Sequence, residues 1–232
     1  MADARDPFLG TVRRSVGPTS TVLDVGAGAG RYALPLAAEV QEVIAVEPVP
    51  DLLELLAAQA RELGVDNIRL VESRWENAGD LRADVVVCYG VIGGIEDGAG
   101  FMQKLDEAAR KSVFIGLGSG VDVLRDPLWP HFHGAPGPPA PSFLDAVAVL
   151  AELGIAPRVE LLEYPTPVYD SLDDAVFAYR DLLQLPPTEE IDAELRNVLG
   201  LWLIRRSDGR FRVPGTTGTY AAVSWSPPGP TT

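Results

Sequence analysis

Short apolar runs alternate with longer segments in which apolar residues recur every three or four positions, from residue 21 to about residue 164. The runs predict β-strands and the longer segments predict α-helices. The strands fall over 21–25, 42–46, 67–71, 84–89, 112–117 and 158–163, and the helices over 31–38, 51–63, 100–109 and 142–153. The strand over 84–89 is rich in valine, which is typical of a strand buried on both faces. This alternation predicts a parallel sheet with helices on both faces.

The pattern changes after residue 164. Two consecutive helices are predicted over 171–185 and 188–205, and two further strands over 211–213 and 220–225. Residues 118–141 have no periodicity and include a proline-rich run, which predicts a long loop. We therefore predict a single domain over residues 1–232, with an N-terminal segment over 1–19, a long loop over 118–141 and a helical insertion over 171–206.

Three glycines follow the first strand at alternate positions, Gly26, Gly28 and Gly30, and Asp24 stands two residues before them. Glycine permits positive φ and close approach of a ligand, while the helix that follows offers unpaired N–H groups. A phosphate loop would need Gly-Lys-Ser/Thr here, and the dinucleotide fingerprint would need glycine at position 31, which is Arg31. A carboxylate at position 24 would repel a pyrophosphate, so the turn favours a ligand that carries an ammonium group.

This pattern resembles the class I S-adenosylmethionine-dependent methyltransferases, and the resemblance covers residues 18–165. It implies a Rossmann-like, doubly wound, mostly parallel seven-stranded sheet, whose antiparallel last strand follows the two-helix insertion. It also implies that the glycine turn contacts the methionine part of S-adenosylmethionine, with Asp24 facing its amino end. Glu47 ends the second strand 17 residues after Gly30, where its carboxylate can accept hydrogen bonds from both ribose hydroxyls.

The resemblance implies further cofactor contacts at the ends of the next strands. Arg74 stands where the family often has an aspartate that binds adenine. Trp75 offers its backbone N–H or its ring, and a role as core filler is an equal interpretation. Cys88 and Tyr89 are implied beside the methionine and the sulfonium, with Cys88 as a small buried thiol and not a nucleophile. The predicted cofactor residues are Asp24, Gly26, Ala27, Gly28, Gly30, Glu47, Pro48, Arg74, Trp75, Cys88 and Tyr89.

The acceptor side is less well marked, because methyl transfer from this cofactor needs no obligatory catalytic residue. An oxygen acceptor would need a base, and His133 in the loop over 118–141 is our candidate, with an ordinary surface histidine as the simpler reading. Phe8, Val12 and Val16 recur four residues apart and predict a lid helix in the segment over 1–19. Aromatic and apolar residues in the loop favour a small organic acceptor, as in a bacterial small-molecule branch of the family.

Charge and composition limit the partners. Nineteen Lys and Arg stand against 33 Asp and Glu, for a net charge of −14, so the surface would repel nucleic acid. One cysteine and two histidines allow neither a disulfide nor an ordinary zinc site, so we expect no metal. No apolar stretch reaches the roughly 18 residues of a membrane helix. The N-terminus is charged and lacks a secretion signal. We therefore expect a cytoplasmic protein, monomer or homodimer, without membrane contact.

Two other functions remain open on the sequence alone. An NAD(P)-dependent oxidoreductase shares the fold and the acid that binds ribose but lacks the observed glycine spacing. A catalytically silent, cofactor-binding regulatory or assembly protein is the second alternative, because Arg74 departs from the family pattern.

Overall fold

The structure is a computed structural model, and it describes residues 6–91, 97–119, 124–139, 142–215 and 217–228. Contacts along the chain separate two compact units. The larger unit consists of Met1–Ser119, Pro141–Leu162 and Thr219–Thr232, and the smaller unit of Gly120–Ala140 and Glu163–Gly218. Most of the helical insertion predicted over 171–206 is helical, and it falls in the smaller unit.

The described strands, in chain order, are β1 (Thr21–Val25), β2 (Glu42–Glu47), β3 (Ile68–Glu72), β4 (Ala83–Tyr89), β5 (Ala109–Gly118), β6 (Arg158–Pro165), β7 (Val168–Tyr169), β8 (Ile204–Arg205), β9 (Phe211–Arg212) and β10 (Thr217–Trp225). One sheet has the order β3-β2-β1-β4-β5-β10-β6, with β1 to β5 parallel and β10 antiparallel to β5. The Rossmann-like, mostly parallel seven-stranded sheet with an antiparallel last strand is therefore confirmed.

The described α-helices are α1 (Pro7–Arg13), α2 (Ala33–Ala37), α3 (Pro50–Leu63), α4 (Gly98–Ala108), α5 (Arg125–His133), α6 (Phe143–Glu152), α7 (Leu172–Leu182) and α8 (Glu189–Trp202). Their ends follow local chemistry. Ser142 opens α6 and Ser171 opens α7, each in a reciprocal capping box with an aspartate three residues on. Gly64 ends α3 in the left-handed conformation, which favours glycine.

The loop predicted over 118–141 contains a helix, which corrects that part of the prediction. Residues Arg125–His133 form α5, while 134–139 have no regular structure. Pro127 lies in the first turn, where a missing N–H costs little, but Pro130 lies inside the helix. Only Leu128 and Trp129 of this helix are buried, so its apolar residues do not recur with a helical period. The two prolines and the short buried face explain why the sequence pattern did not predict this helix.

The core of the larger unit is formed by the seven-stranded sheet and two helices packed against it. Apolar side chains of β1, β2, β4, β5 and β10 pack with those of α4 and α6. Trp225 at the end of β10 donates from Nε1 to Asp106 Oδ1 of α4 at 2.7 Å. Because β1 to β4 are parallel, their carboxyl ends lie along the same edge, where ligands bind in open sheets of this type.

The smaller unit has a core of its own. Side chains of α5, α7 and α8 form one apolar cluster, and β7, β9 and β8 form a three-stranded antiparallel sheet. Arg180 of α7 binds both carboxylate oxygens of Asp192 of α8 at 2.9 Å. The two consecutive helices predicted before the last strand are present.

Candidate functional site

The three glycines of the turn after β1 serve two purposes. Gly26, Gly28 and Gly30 have φ of 73°, 54° and 89°, a region that favours glycine. A Cβ on Gly26 would collide with Val91, and one on Gly30 would collide with the side chains of α2 and α3. A Cβ on Gly28 would have no described atom within 4 Å. Gly26 and Gly30 are thus needed for packing, while Gly28 leaves open space above the backbone.

Glu47 ends β2 and is tied to this turn. Its Oε2 accepts a hydrogen bond from the Gly28 N–H at 2.9 Å, and its Oε1 accepts one from the Val49 N–H at 3.0 Å. The residue is only 6% exposed. Each carboxylate oxygen has a second lone pair, so the side chain can also accept hydrogen bonds from the hydroxyls of a ligand.

Asp24 lies in β1 directly below the turn and is 2% exposed. Its Oδ2 is buried without a hydrogen-bond partner among the described residues. Burial raises the pKa of Asp24 to about 7, and the charge of Glu47 adds to this, while a hydrogen bond from the Ala33 backbone opposes it. A buried, unpartnered carboxylate oxygen costs free energy unless something pairs with it. The group is suited to an ammonium ligand.

A cavity of about 140 Å³ opens beside the turn. It is lined by Val25, Gly26, Val46, Pro48, Ser73, Arg74, Trp75, Glu76, Val91 and Phe101. Trp75 is buried in a short 3-10 helix, and Lys104 lies 4.7 Å from its ring centre and donates to its carbonyl. The Trp75 Nε1 atom has no acceptor in the ranges that the structure describes. The apolar walls and this free donor suit a flat heterocycle with a ring acceptor.

Cys88 and Tyr89 end β4, the central strand. Cys88 is fully buried, and burial raises its pKa, so it is a thiol and not a thiolate. The Tyr89 ring lies in an aromatic cluster with Phe8, Tyr32 and Tyr220, with ring centres 4.9–6.0 Å from that of Tyr89. These rings reach the same edge of the sheet from α1, α2 and β10.

Two residues of this edge were missed by the sequence analysis. Arg31 lies 5.0 Å from the Tyr89 ring centre, and its Nη2 donates to Asp6 Oδ2 at 2.9 Å. Arg31 directly follows the last glycine of the turn, and this position could have identified it as a site residue. Asp6 precedes Pro7, and an aspartate before a proline is typical of a helix start. Nothing in the sequence connects the two residues.

His133, the candidate base, lies at the end of α5 in the smaller unit. Its ring stacks on Trp129, with centres 4.4 Å apart, and its Nε2 donates to the Leu183 carbonyl at 2.8 Å. A role as base stays a prediction.

Within the described ranges no group of three or more His, Cys, Asp or Glu side chains could hold a metal ion. No described helix is long and apolar enough to cross a membrane.

A family model described as a methyltransferase domain matches residues 22–111. Among curated proteins, an uncharacterized methyltransferase YcgJ of Bacillus subtilis is 38% identical over 69 residues, 29% of this chain and 27% of that protein. The 23S rRNA (uracil(1939)-C(5))-methyltransferase RlmD of Shewanella sediminis is 38% identical over 31% of this chain and 15% of its own length. Release factor glutamine methyltransferase of Escherichia coli is 41% identical over 25% of this chain and 21% of its own length.

Solved structures match over more of the chain. The crystal structure of YcgJ from Bacillus subtilis has a TM-score of 0.65 at 17% identity and covers 95% of this chain and 97% of that one. Magnesium protoporphyrin IX methyltransferase from Synechocystis, solved with bound S-adenosylhomocysteine, has a TM-score of 0.58 at 17% identity over 69% of this chain and 74% of that one. The sequence matches to the three curated relatives span about a quarter or less of their lengths.

Proposed function

We propose that this chain, which carries a class I S-adenosylmethionine-dependent methyltransferase domain, transfers the methyl group of S-adenosylmethionine to a small organic acceptor. The domain match over residues 22–111 and the seven-stranded fold agree with the family that the sequence resembles. S-adenosylmethionine is the cofactor of that family, and one structural neighbour was solved with its demethylated product bound.

The residues at the carboxyl edge fit this cofactor. The single observation that carries the proposal is the buried, unpartnered Oδ2 of Asp24 below a glycine turn with open space at Gly28, since it suits the ammonium group of a methionine. Glu47 has acceptor capacity left for the ribose hydroxyls. The cavity between Pro48, Trp75 and Phe101 suits the adenine ring.

When bound, S-adenosylmethionine supplies a methyl group that its sulfonium already activates for in-line displacement. The work of the protein is then to bind and orient. Asp24 would pair with the ammonium group of the donor and Glu47 with its ribose hydroxyls. The glycine turn would let the backbone approach, and the aromatic rings around Tyr89 would exclude water from the edge. Orientation of this kind contributes several kcal/mol to a bimolecular step without any acid or base.

The acceptor is the less constrained part of the proposal. The named relatives include an rRNA methyltransferase and a release factor glutamine methyltransferase, so relatives of this domain act on large substrates as well. The net charge of −14 argues against a phosphate-rich partner and supports a small organic acceptor. The lid role of the segment over 1–19 and the acceptor-side role of the segment over 118–141 belong to this proposal.

The test is methyl transfer from S-[methyl-³H]adenosylmethionine. The protein is incubated with a panel of phenols, amines, thiols and carboxylic acids, and in parallel with bulk RNA and with a protein extract. We expect label in one class of small molecule and none in RNA at physiological salt. Labelled RNA or labelled protein would contradict the small acceptor. Tight cofactor binding without any transfer would favour the silent regulatory alternative.

A further inference from the structure

We propose that Asp6 and Arg31 are positioning residues of the methyl-transfer site, whose ion pair fastens the N-terminal helix α1 to the glycine turn. This inference rests on the proposed function, because it concerns the same edge of the sheet. It adds to that proposal two residues, 25 positions apart in the chain, and a reason why α1 belongs to the site.

Asp6 is more deeply buried than a helix cap requires. Its Oδ1 accepts the Leu9 N–H at 3.0 Å, which caps α1. Its Oδ2 accepts from Arg31 at 2.9 Å and faces the Tyr32 hydroxyl at 3.4 Å, and its side chain is only 4% exposed. Asp97 caps α4 with the same kind of hydrogen bond and stays exposed. Burial of a carboxylate is costly unless it is paired, so capping alone does not account for Asp6.

Arg31 connects Asp6 to the glycine turn. It follows Gly30 directly, so its backbone belongs to the same turn. Its side chain is 50% exposed, and its guanidinium carbon lies 5.0 Å from the ring centre of Tyr89 and 5.4 Å from that of Tyr32. Guanidinium groups are attracted to aromatic faces at such distances. Asp6 therefore fixes where Arg31 lies, and Arg31 covers the ring that ends β4.

The fold makes room for this arrangement. A Cβ on Gly116 of β5 would collide with the Tyr89 ring and approach Cε2 of Phe8 to 3.1 Å. Phe8 of α1 also lies against Tyr32, with ring centres 5.2 Å apart. Because Gly116 has no side chain, the Tyr89 ring fits against β5, in contact with Phe8 of α1.

A helix as short as α1 needs outside support. It has seven residues, whereas isolated helices below about 12 residues are marginal in water. Among the described residues, two further ion pairs lie at α1, Arg13 with Glu39 and Arg14 with Glu160; both are at the solvent surface, and neither involves the glycine turn. Of these described ion pairs, Asp6–Arg31 is the pair that reaches the glycine turn, and Arg13–Glu39 serves as the control.

The experiment compares variants that break one ion pair of α1 at a time. Asp6→Asn keeps the cap, because asparagine caps helices as well as aspartate does. Arg31→Gln removes the guanidinium group, which is the more exposed partner of the pair. Glu39→Gln breaks a pair of the same helix away from the turn. Calorimetry gives the dissociation constant for S-adenosylhomocysteine, and hydrogen exchange of residues 26–31 gives the order of the turn without any ligand.

We expect Asp6→Asn and Arg31→Gln each to weaken binding about tenfold, the size expected for a hydrogen bond between charged groups. The double variant should also lose about tenfold and not a hundredfold, because both changes remove one interaction. Both should speed exchange in the turn, whereas Glu39→Gln should change neither quantity.

Wild-type affinity and wild-type exchange in Asp6→Asn would overturn the inference, and so would additive losses in the double variant. If the wild-type protein bound no S-adenosylhomocysteine, the proposed function would fail. The exchange measurement would still decide whether the pair orders the turn.

Discussion

The two units differ in how they use their polar groups. In the larger unit, Asp24 Oδ2 and Trp75 Nε1 are buried without a partner among the described residues, and Gly28 faces open space. In the smaller unit, His133 is engaged by a stacked tryptophan and a backbone carbonyl, and Arg180 is engaged by Asp192. Buried polar groups left unpaired cost stability, and pairing with a ligand would offset that cost. The difference supports the proposal that the cofactor binds to the larger unit.

The largest effect is expected at Gly28. Gly28→Val should reduce affinity for S-adenosylmethionine by more than about 100-fold, because a branched side chain would fill the space above the turn and is strained at a φ of 54° by about 1–3 kcal/mol. Gly64→Val is the matched control, since Gly64 has a φ of 67° and no described atom within 4 Å of an added Cβ. Calorimetry and thermal unfolding separate the two effects. Equal affinity in the two folded variants would show that the turn does not carry the cofactor.

Glu47→Ala is expected to have the next largest effect. It removes the proposed acceptor of the ribose hydroxyls, so affinity should fall by roughly 1.5–3 kcal/mol, the range for hydrogen bonds to a charged group. It also leaves the Gly28 and Val49 amides without their acceptor, so the unfolding temperature should fall as well. The two losses are measured by calorimetry and by thermal melts. A lower melting temperature with an unchanged dissociation constant would reject the ribose role.

The raised pKa of Asp24 predicts a pH dependence. An ammonium ligand pairs with the ionised carboxylate, so affinity should rise as pH increases from 6 to 8, by up to about tenfold per unit below a pKa of about 7. Stability has the opposite sign. Between about pH 4 and 7 the native state binds more protons than the unfolded state, so the free energy of unfolding should fall as pH rises. Asp24→Asn should flatten both profiles, and a persisting slope would assign the titration to another group.

His133→Ala tests the smaller unit. Loss of the stacking on Trp129 and of the hydrogen bond to Leu183 should lower stability by about 1–2 kcal/mol. Affinity for S-adenosylmethionine should stay as in the wild type. A stable variant that loses kcat by about 10²-fold or more with an identified acceptor would instead support the role as base.

The sequence predicted the sheet and the glycine turn because both depend on local pattern. The short apolar runs predicted β1 to β6. The helix α5 was hidden by its prolines, since their presence breaks the period from which helices are read. The sequence predicted only part of the chemistry of the site. Spacing could identify Glu47 but not its hydrogen bonds to two backbone amides, and the Asp6–Arg31 pair depends on how α1 packs.

Calorimetric titration of the wild-type protein at pH 8 tests the central claim most directly, with S-adenosylmethionine and NAD as the two ligands and Asp24→Asn as the control. We predict binding of S-adenosylmethionine, none of NAD, and a weakened affinity in the variant because its buried amide leaves the ammonium group unpaired. Binding of NAD alone, or equal affinity for S-adenosylmethionine in both proteins, would contradict the claim that the glycine turn and Asp24 hold this cofactor.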